Sequence, residues 1–138
     1  IKKKYPSVLK IYIKKTKVLA YYFEDAKIIF IGDNGKKITQ YQSDINNLPM
    51  IIGNFEINNF LELTKILEHN DFHFVDFNKL YFFKTNRWDL LYKNKITIKL
   101  PTNDLGKSIG LLKNIIKSLD INKIKIIDLR IKNNVILS

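Results

Sequence analysis

Arg87-Trp88-Asp89-Leu90-Leu91-Tyr92, then Lys93-Asn94, then Lys95-Ile96-Thr97-Ile98-Lys99-Leu100-Pro101: this stretch decides the fold. In Ile96-Thr97-Ile98-Lys99-Leu100 apolar and polar residues alternate, the period of a strand with one buried face. Lys93-Asn94 sits where a hairpin turn is needed before it. Pro101 stops the strand, and Thr102, Asn103 or Asp104 can cap a helix after it. The stripe Leu105, Ile109, Leu112, Ile116 and Leu119 has helical spacing, with Lys107, Lys113 and Lys117 facing out. Beyond the helix, 124–131 reads as a strand, Asn133-Asn134 as a turn or bulge, and 135–137 as a last strand.

Working upstream, 72–75, 79–83 and 88–92 read as strands, with Asn78 and Asn86 at turn positions. Phe60, Leu63, Ile66 and Leu67 predict a helix that starts at Asn58 or Asn59 and ends near His69-Asn70. Strands are expected at 18–23 and 27–31, with Gly32-Asp33-Asn34-Gly35 turning the chain into a short strand at 36–40. Residues 41–47 read as a loop closed by Leu48-Pro49, and 8–13 is also strand-like. From residue 18 the order is β-β-β-α-β-β-β-β-α-β-β. That predicts an α+β fold, an antiparallel or mixed sheet covered by two helices.

The 138 residues are enough for one domain, or for one domain and a fragment of another, and 46% hydrophobic content is enough for a core. No apolar run approaches the roughly 20 residues that cross a bilayer. The chain opens on Ile1 instead of Met, which reads as a piece of a longer protein. The net charge of +11 points to nucleic acid or an anionic membrane. Yet of 24 basic residues only Arg87 and Arg130 are arginine, the residue suited to bidentate phosphate contacts. Lysines spread from Lys2 to Lys132, beside abundant Ile and Asn, fit a base-biased genome and a solvated surface. Without cysteine there is neither a disulfide nor a thiolate metal site.

Catalytic chemistry finds little foothold. His69 and His73 have the spacing of a metal-binding pair on one helix face, but Asn70-Asp71 ends the helix between them. The serines have no nucleophile-elbow context, Gly106 to Gly110 reads as helix, and no Gly-rich phosphate loop is present. No catalytic residue, metal, cofactor or small-molecule substrate is expected. The run of Phe72, Phe74, Phe77, Tyr81, Phe82 and Phe83, interleaved with Lys79, Lys84 and Arg87, has the makings of a platform for single-stranded nucleic acid. The plainer reading is a sheet core with lysines facing water, and Trp88 as a core or interface residue. The chain end differs in kind. A terminal strand often lies at a sheet edge with free N–H and C=O groups. Arg130, Ile131, Val135 and Ile136 there combine a cation with apolar side chains, a surface suited to an added strand with an acidic residue.

In order, Pro6 to Ala20, Ile31-Gly32-Asp33-Asn34-Gly35, Leu48-Pro49-Met50-Ile51-Ile52-Gly53, Arg87-Trp88-Asp89-Leu90, Lys99-Leu100-Pro101 and Asp128-Leu129-Arg130 form a motif set. It resembles the periplasmic β-domain of the bacterial cell-division family FtsQ/DivIB. The match departs at Lys15, where the family usually has Glu, and at Val18, where it has Pro. The resemblance implies that 1–14 is the end of a truncated POTRA domain and 15–138 the β-domain. It implies structural roles for Arg87, Trp88, Asp89, Leu100, Pro101, Asp128 and Leu129. It also implies a non-enzymatic divisome scaffold docking FtsB/FtsL-like partners through Arg130, Ile131, Lys132, Asn133, Asn134, Val135 and Ile136. The whole protein would be held in the inner membrane by an N-terminal helix, with this domain in the periplasm at the division septum. The alternative is a basic domain that binds single-stranded nucleic acid.

Overall fold

The computed structural model describes residues 16–39, 45–131 and 134–138. The strand expected at 8–13, the POTRA remnant at 1–14, and Lys132 and Asn133 lie outside the described residues. Among the described residues nine strands form one mixed sheet: β1 (Val18–Glu24), β2 (Lys27–Gly32), β3 (Lys37–Ile38), β4 (Met50–Ile52), β5 (Phe77–Phe83), β6 (Arg87–Tyr92), β7 (Ile96–Lys99), β8 (Ile126–Asp128) and β9 (Ile136–Leu137). Their order across the sheet is β3-β2-β1-β4-β5-β6-β7-β8-β9.

Two helices are present among the described residues, α1 (Ile57–His69) and α2 (Leu105–Ser118). Each lies in the connection between parallel neighbours, α1 between β4 and β5 and α2 between β7 and β8. The remaining neighbours are antiparallel, except that β1 runs parallel to β4. Phe60, Leu63 and Leu67 of α1 and Ile109 and Leu112 of α2 are fully buried in one cluster with Ile31, Ile51, Leu80, Leu90, Ile98 and Ile127. The two helices therefore cover one face of the sheet. Burying each of these side chains stabilises the fold by roughly 1.5–3 kcal/mol. Lys113 of α2 reaches Asp71, just past α1, at 2.7 Å and ties the two helices together.

Several elements differ from the sequence reading. Residues 72–75 are not a strand. Asp71 takes φ +63° after Asn70 caps α1, and Phe74–Asp76 form a 3₁₀ turn that leads into β5. Their aromatic rings pack inward from the loop, Phe74 on Phe60 and Phe72 on Phe77 and Tyr92. β4, whose residues were assigned no element and only a place in the Leu48–Gly53 motif, is a central strand between β1 and β5. It closes on Gly53, whose φ of +110° and closeness to the Phe82 carbonyl leave no room for a side chain. α1 begins at Ile57, with Glu56 and not an asparagine at its cap position. Of 124–131 only Ile126–Asp128 pairs as strand. Ile121–Lys123 is a 3₁₀ turn, and Ile124 packs on the core from irregular chain.

Candidate functional site

The C-terminal motif residues meet across β6, β7 and β8. Residues two apart on a strand share a face, so Arg87 and Asp89 lie together on the side away from the helices while Trp88 and Leu90 point to the helices. Trp88 is 2% exposed, and its ring lies 4.7 Å from that of Phe82. The Arg87 Nη1 donates to Asp89 Oδ1 at 2.5 Å and to the Leu100 carbonyl at 3.4 Å. Leu100 N donates to the Trp88 carbonyl at 3.0 Å, and Leu129 N to the Lys99 carbonyl at 2.8 Å. Leu100 and Leu129 are buried, and Pro101 is half-buried where the chain leaves β7. The three sequence motifs are one assembly.

On β8 Asp128 repeats the pattern in reverse. Its Oδ1 accepts from Arg130 N at 3.0 Å and Arg130 Nε at 2.9 Å, and its Oδ2 from Nη2 at 2.6 Å. The Arg130 guanidinium holds the Asp128 carboxyl below the usual carboxylate range, against burial, which pushes it up. The carboxylate in turn raises the pKa of Arg130. Asp89 pairs with Lys99, and Lys99 with Asp128, in the sheet register. The result is a row of alternating charge: Arg87, Asp89, Lys99, Asp128, Arg130.

Arg130 and Ile131 are not in a strand. They follow β8 as the chain leaves the sheet, so the expectation of a strand through Ile131 is corrected. Arg130 is not an isolated cation either, because its fork closes on Asp128. That fork uses two of the five guanidinium N–H donors. The Arg130 side chain is 43% exposed, and Ile131, Asn134 and Ile136 are exposed while Val135 packs on the core. A cleft of about 530 Å³ adjoins them, lined by Pro101, Lys107, Leu111, Leu129, Arg130 and Ile131 among others.

Among the described residues β9 is the last strand of the sheet and pairs only with β8. Ile126 and Ser138 exchange both backbone bonds, at 3.1 and 3.0 Å. In an antiparallel ladder the next residue, Leu137, then turns its N–H and C=O to the free edge. The last strand was read as 135–137, but the expected partner-binding residues stopped at Ile136 and left out Leu137. The sequence reading also missed Lys99 and the pairings of Arg87 with Asp89 and of Asp128 with Arg130. The Arg-x-Asp and Asp-x-Arg spacings were their signal.

The other candidate sites come apart. Phe77, Phe82 and Trp88 turn into the core, and Phe83, which is exposed, carries Arg87 over its ring at 4.5 Å, so the aromatic run forms no continuous stacking platform. α1 ends at His69, so His69 and His73 do not share a helix face. No group of three or more potential metal ligands occurs among the described residues. No helix among them is long and apolar enough to cross a membrane.

A model of the cell division protein FtsQ/DivIB C-terminal family matches residues 20–130, from β1 to Arg130. The chain belongs to that family. FtsQ/DivIB proteins are non-enzymatic components of cell division, and membership gives this domain a scaffold role there. Among solved structures, the fold is similar to the major extracytoplasmic domain of the trans isomer of the division protein DivIB from Geobacillus stearothermophilus. The TM-score is 0.51 at 11% identity, over 78% of this chain and 100% of that one. No curated protein matches. The FtsQ/DivIB match spans all three of the motifs that the charge row joins.

Proposed function

We propose that this domain is the periplasmic part of a division scaffold that docks FtsB/FtsL-like partners by adding a partner strand to β9. The whole protein is then held at the septum by an inner-membrane helix upstream of residue 1. The observation that carries the reading is the free edge of β9, where Leu137 turns its N–H and C=O away from β8. Exposed Ile136 and Leu137, 44% and 42% accessible, give an added strand apolar contacts on both faces. Arg130 keeps donors for an acidic partner residue beside its fork to Asp128.

The test is titration calorimetry with the periplasmic segment of the same organism's FtsB against wild type, Leu137→Pro and Leu137→Ala. A proline at Leu137 removes an outward N–H and leaves the β8 ladder intact, so the fold survives. The expected result is an affinity loss of about tenfold or more in Leu137→Pro, from one lost hydrogen bond and the ring's bulk. Leu137→Ala should lose less. Equal losses in both would refute strand addition, and unchanged affinity in both would remove β9 from the interface.

A further inference from the structure

The sheet register brings the start of β5, the end of β6 and the starts of β7 and β8 to one end of the domain. α2 runs back to the same end before β8 begins. Four lysines lie in the connections there, Lys93 and Lys95 between β6 and β7, Lys123 and Lys125 ahead of β8. Thr97 N donates to the Lys125 carbonyl at 2.8 Å, which sets Lys125 beside Lys95 at the foot of the ladder. Neighbours in this row are roughly 5–7 Å apart between Cα atoms, inside the Debye length of about 8 Å at physiological salt. All four are exposed, and among the described residues none has an ion-pair partner within 4.0 Å. Val75, 63% exposed, stands beside Lys93, whose N–H donates to the Asp76 carbonyl at 2.7 Å. Leu119, 38% exposed, stands at the other end of the row, where Lys123 N donates to the Asp120 carbonyl at 3.1 Å. A base-biased composition accounts for many lysines, but not for an unpaired row of them between two exposed apolar side chains.

We propose that this end of the domain lies against an anionic phospholipid surface, with the lysines on headgroup phosphates and Val75 and Leu119 in the interfacial layer. Three observations choose a bilayer over other anions. The row lines neither the cleft beside Arg130 nor a second one of about 400 Å³ beside Tyr22, so it meets its partner as an end, which suits a plane. No arginine belongs to it, and Phe77 and Tyr92 beside it are buried, so nucleobases find neither a bidentate fork nor a stacking plane. Exposed apolar side chains next to lysines match the headgroup boundary, which takes up both together. A second copy is excluded as occupant by repulsion at +11 per chain. The contact needs nothing from the free edge of β9.

The test is flotation of the 138-residue chain with vesicles of phosphatidylglycerol and phosphatidylethanolamine, and with vesicles of phosphatidylcholine alone. The site variant is Lys95→Gln/Lys123→Gln/Lys125→Gln. Two variants match its charge elsewhere: Lys27→Gln/Lys65→Gln/Lys84→Gln, and Lys2→Gln/Lys3→Gln/Lys4→Gln. A lysine at an anionic surface raises affinity about fivefold. The site variant should therefore bind the anionic vesicles about a hundredfold more weakly. The charge-matched variants should lose about threefold or less, and raised salt should weaken binding in all of them. The chain has no cysteine, so Val75→Cys can carry one environment-sensitive dye, whose emission should shift to the blue on vesicles. Five outcomes would overturn the proposal: no binding to anionic vesicles, equal binding to phosphatidylcholine, equal losses in all three variants, unshifted emission on bound vesicles, or tighter binding of a single-stranded oligonucleotide lost in the site variant. Far-ultraviolet circular dichroism of each variant separates loss of the site from loss of the fold, and Lys123→Gln/Lys125→Gln replaces the site variant if that one unfolds, with an expected loss of about twentyfold.

Discussion

Replacing Gly53 with alanine should damage this domain more than its small size implies. Gly53 ends β4 at φ +110°, a conformation that L side chains rarely adopt. A methyl group placed there meets the Phe82 carbonyl oxygen at 2.3 Å, with the Phe82 carbonyl carbon and nitrogen at 3.2 and 3.3 Å. These atoms are backbone of β5, held by pairing to β4 and β6, and cannot swing aside. Left-handed strain costs about 1–2 kcal/mol. Forcing a methyl into a filled contact costs roughly 1–3 kcal/mol more. The sum, about 2–5 kcal/mol, is a large share of the 5–15 kcal/mol typical of a domain. It should lower Tm by about 10 °C or more. The assay is thermal and urea unfolding followed by far-ultraviolet circular dichroism. Gly106→Ala is the internal control. Gly106 lies in α2, where an added methyl would have nothing within 4 Å, so alanine there should stabilise by about 0.5–1 kcal/mol. A Gly53→Ala protein within about 0.5 kcal/mol of wild type would mean that β4 can slide off β5, and the argument for its close approach would fail.

Two further predictions concern the turn and the charge row. Asp25 and Ala26 link β1 to β2 with φ of +50° and +65°, so Ala26→Gly should stabilise by roughly 0.5–1 kcal/mol in urea unfolding, and a loss would show that the turn is not type I′. Asp128, with its pKa lowered by Arg130, contributes stability that is complete above the unfolded carboxyl pKa and is lost as pH falls through its depressed folded value. Asp128→Asn should therefore be less stable than wild type at neutral pH and converge with it in strong acid; curves that stay parallel would refute the pairing.

How much was legible in the sequence follows from how local each signal is. The alternation in Ile96-Thr97-Ile98-Lys99 and the stripe through Ile109 and Leu112 are properties of single elements, and both elements formed as read. β4 is three residues long and owes its existence to β1 and β5, both distant in sequence, so no local period announces it. Phe72, Phe74 and Ile124 have strand-like chemistry but meet the core from loops, because burial rewards an apolar side chain whatever backbone carries it. The pairing of Asp128 with Arg130 was within reach, since residues two apart on extended chain share a side. Reading Arg130 only as an anchor for a partner hid its nearer acceptor.

The charge row also explains why such a short edge strand can be presented at all. β9 has two residues in its ladder and only Val135 beside it on the core, so its own contacts are too few to hold it rigid. β8 is different. Ile127 is fully buried, Leu129 N is bonded to the Lys99 carbonyl, and the Asp128 carboxylate fixes both the backbone and the side chain of Arg130. The chain is thus pinned where it leaves the sheet, and β9 returns onto a strand held by burial and by these bonds. A partner strand added to β9 completes a ladder whose inner member is already fixed, so the ordering that binding must still supply is confined to β9 itself. The affinity of the edge should then respond more to changes that stiffen β9 than to changes that add contacts beyond it.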